Sequence, residues 1–127
     1  MPESYFYEYA VIRLVPRVER EEFINVGIIM YCKRPRFLKA KCFINRERLE
    51  QFNHELELVD IENNLKAFHK ICEGNKSGGP LAIEDEASRF RWLTAERSSS
   101  IQTSRPHHGF STDLHQTLNR LYQELVL

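Results

Sequence analysis

The chain lacks the usual marks of a secreted, metal-bound or membrane protein. It has three cysteines, Cys32, Cys42 and Cys72, and no C-x-x-C pair. An odd count without paired spacing argues against a disulfide framework or a zinc knuckle, and leaves buried thiols acting as small hydrophobes. Neither charge is in excess: 18 Lys and Arg stand against 18 Asp and Glu. That balance excludes a polybasic nucleic-acid coat and an acidic disordered tail. The longest apolar run, near Ile28 to Cys32, falls far short of the roughly 20 residues that span a bilayer. The start, Met1-Pro2-Glu3-Ser4, lacks the basic and apolar regions of a signal peptide, so a cytoplasmic location is expected. There is no G-x-S-x-G, no P-loop and no G-x-G-x-x-G, and Gly78-Gly79-Pro80 lacks the lysine of a phosphate loop, so no cofactor is expected. No internal repeat or low-complexity tract breaks the chain.

What is present is an ordinary folding composition. The 127 residues are 42% hydrophobic and 28% charged, which fits one domain over residues 1–127 with enough core to fold without a metal. Residues 5–15 read as a strand apolar on both faces, hence covered on both sides, and Pro16 ends it. Residues 23–32 read as a second strand whose even positions, Ile24 to Cys32, form one apolar face. Gly27 inside it marks a bulge or a close backbone approach. After a turn at 33–36, residues 37–44 pair back as a third strand, with Leu38, Ala40, Cys42 and Ile44 toward the core.

Helical signals follow. Asn45 caps a short helix over 46–52. A longer helix runs over about 60–73, with Leu58, Ile61, Leu65, Phe68 and Cys72 as its stripe and Gly74 as its stop. Residues 84–94 form a third helix, with Phe90, Leu93 and the nearby Trp92 packing inward. Residues 98–104 read as a short polar strand and 105–112 as a loop. Asp113 and Gln116 then cap a last helix carrying Leu114, Leu118, Leu121 and Leu125. The expected fold is α+β: an antiparallel sheet of about four strands with helices packed on it, in the order β-β-β-α-α-α-β-α.

Chemistry has three candidate locations. The first is a basic hairpin, in which Lys33, Arg34, Arg36, Lys39 and Lys41 are interleaved with Phe37 and Phe43. Cations between aromatic rings hold phosphates and stack bases, although lysines also keep an edge strand soluble. An acidic stretch, 49–73, offers the hairpin internal partners if the two patches face one another. The second is the donor-rich segment from Arg97 to His108, where Arg97, Ser99, Gln102, Arg105, His107 and His108 suit a phosphate or carboxylate. Arg13 joins them if its strand neighbours the polar strand, and Asn25 is a further polar residue on an apolar strand. The third is a set of imidazoles, His107, His108 and His115 with His54 or His69. Adjacent histidines on a strand point opposite ways, so no metal site is assigned. His69 and Cys72 share a helix face, but Cys72 lies on the apolar stripe.

Two stretches carry a family resemblance. Tyr9-Ala10-Val11-Ile12-Arg13-Leu14-Val15-Pro16, followed by Glu22-Phe23-Ile24-Asn25-Val26-Gly27-Ile28-Ile29, resembles the N-terminal signature of the bacterial domain of unknown function 3037 family. Phe90-Arg91-Trp92-Leu93-Thr94-Ala95, then Arg97 and Ile101-Gln102-Thr103-Ser104, extend the likeness over nearly the whole chain. The family carries no activity to transfer. The resemblance implies a small accessory module encoded beside kinase-like proteins of bacterial toxin systems, hence a protein partner.

The leading expectation is therefore a non-enzymatic cytoplasmic module that binds a protein partner or a small anionic ligand. One alternative is a nucleic-acid binding or processing protein using the basic hairpin. Another is a small phosphotransfer or hydrolytic enzyme with His107 or His108 as general base. The doubly apolar first strand also allows a homodimer across the sheet.

Overall fold

The computed structural model of the chain describes residues 3–52 and 56–127. Met1 and Pro2 of the signal-peptide reading, and His54 of the imidazole set, lie outside them. The elements are β1 (Tyr5–Leu14), β2 (Ile24–Cys32), β3 (Phe37–Cys42), α1 (Arg46–Glu50), α2 (Leu58–Glu73), α3 (Glu86–Leu93), β4 (Ile101–Thr103), β5 (His107–Ser111) and α4 (Leu114–Leu125). All strand pairs are antiparallel; the sheet runs β3-β2-β1, with β4 and β5 both on the far side of β1. None of the described helices is long and apolar enough to cross a membrane.

The expected α+β class holds, with one added strand. Residues 98–111 make a single interrupted edge rather than one strand and a loop. β4 pairs with Ile12 to Leu14, and β5 pairs with Tyr5 to Tyr9. The interruption falls at Arg105-Pro106, where proline supplies no N–H. Ser104 closes the gap. Its N–H donates to the Val11 carbonyl at 2.8 Å, and its buried hydroxyl accepts from the Val11 N–H at 2.9 Å. The polarity of 105–112 hid a strand held by aromatic pairing: Phe6 packs edge-on to Phe110, and Tyr9 packs against His107.

Both faces of β1 are covered from within the chain. Ala10, Ile12 and Leu14 meet the α2 and α3 side, with Ile61, Leu65, Phe68 and Phe90. Tyr7 and Val11 meet α4 through Leu114, Leu118 and Leu121. The apolarity that allowed a dimer across the sheet is thus satisfied by the chain's own helices.

β2 departs from the single apolar face expected for it. Ile24 and Val26 pack toward α2, whereas Ile28, Met30 and Cys32 pack toward α4. The cause is a bulge. Ile12 faces Gly27 but Arg13 faces Asn25, so Val26 is an extra residue and the alternation reverses across it. Gly27 is needed there because a Cβ would lie 2.5 Å from the Cys42 sulfur and 2.7 Å from the Lys41 carbonyl oxygen.

The helices follow their caps. Asn45, Asp85 and Asp113 each accept a backbone N–H three residues on, from Arg48, Ser88 and Gln116. α1 stops at Glu50, and α2 starts at Leu58. Gly74 ends α2 in a left-handed conformation at φ +71°. Trp92 does not pack inward. It is 40% exposed, because Phe90 and Leu93 already occupy the buried stripe of this short helix.

Candidate functional site

The bulge in β2 and the pairing of β4 assemble a polar row across the sheet. Asn25, Arg13 and Gln102 lie side by side on β2, β1 and β4. Were Val26 paired in regular register instead of bulged, Arg13 would face that valine and Asn25 would turn to the other face. Asn25 and Arg13 fall in a non-hydrogen-bonded pair, where side chains approach most closely. Arg13 lies with its guanidinium carbon 4.0 Å from the centre of the Phe23 ring. Phe23 precedes Asn25 by two, at the entry to β2, so the two project to the same side. The sequence reading missed this contact, although that spacing carries its signal.

The row is incompletely satisfied. Asn25 donates through Nδ2 to the Leu125 carbonyl at the end of α4, at 3.1 Å. That bond fixes its amide and closes a helix C-terminus. Its Oδ1, together with Nε of Arg13 and the hydroxyl of Thr103, is buried and finds no hydrogen-bond partner among the described residues. Each such group costs about 1–3 kcal/mol if nothing fills the place. A donor and an acceptor are thus left open on adjacent strands.

Cavities open from this row. One of about 410 Å³ lies between Arg13, Val18, Glu21, Phe23 and the 96–98 loop. Another of about 420 Å³ runs past Arg13, Gln102 and Arg105 to the 94–97 loop. Arg13, Glu96, Arg97 and Gln102 border both, so the two form one cleft around the end of β4. Three guanidinium groups and an amide face two carboxylates, Glu21 and Glu96.

The predicted residues divide by what they already hold. Arg13, Gln102, Arg97 and Arg105 line the cleft. Arg97 is partly engaged: it donates to the carbonyls of Trp92 and Ala95 at the end of α3, and stacks 4.3 Å from the Trp92 ring centre. Gln102 donates to the Ser99 carbonyl at 2.8 Å, and the Ser99 hydroxyl donates to the Ile101 carbonyl at 2.6 Å, so Ser99 orders its own loop. His107 and His108 stand apart on β5. They flank opposite faces of the sheet, one against Tyr9 and the other against Phe6. They line neither cavity beside Arg13.

The hairpin cations disperse. Arg36 pairs with Glu86 of α3 at 2.6 Å. Lys41 donates to Asn119 of α4 at 3.1 Å and lies 4.6 Å from the Tyr122 ring centre. Lys39 lies over Phe37 at 5.7 Å, while Lys33 and Arg34 project from the turn. Among the described residues of the acidic 49–73 stretch, Glu62 pairs with Arg46, and none pairs with these five.

Two of the three thiols are poor nucleophiles. Burial pushes Cys42 and Cys72 up to about 12, which leaves essentially no thiolate near neutrality. Burial also lowers the pKa of His69, beside Cys72 on α2. The Cys32 sulfur donates to the Phe6 carbonyl at 3.0 Å. Among the described residues no group of three or more His, Cys, Asp or Glu gathers to hold a metal.

Residues 9–126 match a family model described as Protein of unknown function (DUF3037), and the chain belongs to that family. No curated protein and no solved structure matches the chain.

Proposed function

We propose that this chain is a binding module, and that the cleft at Arg13 receives an anionic group of its ligand. One observation carries the reading. The Nε of Arg13 is buried without a partner among the described residues, at the wall of a cleft that Arg97, Arg105 and Gln102 also border. Guanidinium groups and an amide are donors that fit carboxylate and phosphate oxygens. Phe23 beneath Arg13 holds the guanidinium plane in place, so little side-chain freedom is lost on binding. Cleft and cations lie on the edge of the sheet, which favours a ligand carried by a protein partner. We also place the protein in the cytoplasm: its three cysteines are all free, as suits a reducing compartment.

The test is a titration with sodium glutarate and, separately, phosphate, followed by the side-chain Nε–H resonance of Arg13. A saturable shift is expected for at least one of the two, and the accompanying shift of the Gln102 backbone amide should be lost in Arg13→Gln while the fold is kept. No shift with either anion at tens of millimolar would overturn the reading.

A further inference from the structure

We infer that the ligand is an extended acidic peptide that adds a strand to the free edge of β4, deepening the proposed reading, on which it rests. Three observations meet at this edge. The first is backbone polarity. The Val15 N–H donates to the Ser100 carbonyl at 2.7 Å, and the Ser104 N–H to the Val11 carbonyl at 2.8 Å. In an antiparallel ladder this turns residues 100, 102 and 104 toward β1, and Ile101 and Thr103 outward. β4 pairs only with β1, and the Ile101 carbonyl is taken by Ser99. Among the described residues the outward N–H of Ile101 and both outward groups of Thr103 stay open, spaced as an added strand requires.

The second is a pair of unlike recesses flanking that edge. On the α2 side a cavity of about 230 Å³ is walled by Phe68, Ile71, Leu93 and Ile101, with Trp92 at its border. On the other side lies the cationic cleft of Arg13 and Arg105. Both recesses are bordered by Arg97, Gln102 and Thr103, so they meet at the strand that divides them. Successive side chains of an added strand point to opposite faces. A residue opposite Thr103 would enter the apolar recess, and its neighbour opposite Gln102 would point at Arg13. Main-chain pairing then supplies affinity, and the two recesses demand an alternating apolar–acidic sequence.

The third is charge. Arg13, Arg97 and Arg105 outnumber Glu21 and Glu96 around the cleft, which fits an acidic rather than a basic strand.

The probe is a capped Ser-Val-Glu-Val-Ser peptide, with two controls: Glu replaced by Gln, and the peptide N-methylated at its two valines. Trp92 is the only tryptophan, so its fluorescence reports the apolar recess directly. The amide resonances of Ile101 and Thr103 report the edge. The parent peptide is expected to shift both amides and change the Trp92 emission. N-methylation is expected to weaken binding at least tenfold. The Glu-to-Gln change and Arg13→Gln should each weaken it about tenfold, with no further loss when combined. If glutarate or phosphate shifts Arg13 but the N-methylated peptide binds as well as the parent, strand addition is wrong and the anion reading stands. If neither the anions nor the peptide reaches Arg13, both fall.

Discussion

Gly27→Ala tests the device on which the site depends. At this position a methyl group would sit 2.5 Å from the Cys42 sulfur, 2.7 Å from the Lys41 carbonyl oxygen and 3.2 Å from the Cys42 Cα. Carbon contacts are comfortable at about 3.5–4.0 Å, so each approach is short by roughly 1 Å or somewhat less. The sulfur can yield by a rotamer change. The carbonyl cannot, because it belongs to the β2–β3 ladder, in which Gly27 pairs with Cys42. Overpacking of this kind costs about 2–3 kcal/mol. For a chain of this size that corresponds to a melting point lower by roughly 10 °C. Urea denaturation of the single variant, of Cys42→Ala and of the double variant separates the two contacts. The double variant should recover part of the loss, the sulfur's share, and retain the carbonyl's share. The surviving fold should also show a disturbed Arg13–Asn25 pair, seen as shifts of both backbone amides. A Gly27→Ala protein within about 0.5 kcal/mol of the parent, or one showing no coupling to Cys42, would refute the argument.

Two further outcomes follow from buried groups. Ser104→Ala removes the acceptor of the Val11 N–H and leaves that donor buried, so it should cost about 1–3 kcal/mol and speed hydrogen exchange at Val11 more than at Ile28; equal exchange at both would contradict the bridging role. The thiols of Cys42 and Cys72, held up to about 12 in the fold, should resist a disulfide reagent at pH 8 until urea unfolds the chain. Their sign is fixed by linkage. The unfolded thiol ionises near 8.5 and the folded one near 12, so their contribution is full below about pH 8 and is lost as pH rises toward 12. Native reactivity at pH 8 equal to that of the unfolded chain would overturn the assignment.

Periodicity and caps made most of the architecture readable from residues. The two-sided apolarity of 5–15 required layers on both faces, and α4 and the α2–α3 pair supply them. Asn45, Asp85 and Asp113 sit where helices begin because each short side chain accepts an otherwise open N–H. What stayed hidden was backbone irregularity. A strict period of two assigned Val26 and Ile28 to one face, since no hydrophobicity pattern shows that a residue is extra. His107 to Ser111 looked like a loop because an edge strand with one open side needs no apolar alternation.

The same two irregularities decide what meets at Arg13. Because Val26 is bulged out of the pairing, Asn25 rather than Val26 lies opposite Arg13, with its amide reaching the end of α4. The break at Arg105-Pro106 confines β4 to three residues and divides the edge of β1 between two strands, with Gln102 opposite Arg13 and the two histidines opposite Tyr9 and Glu8. Had the edge run on without that break, the alternation of β5 would have been fixed by β4. The bulge at Val26 thus sets which β2 side chain meets Arg13, and the break at Pro106 sets which faces His107 and His108 take. Substituting the polar residues tests what the cleft binds; altering Val26–Gly27 or Arg105-Pro106 tests whether there is a cleft at all.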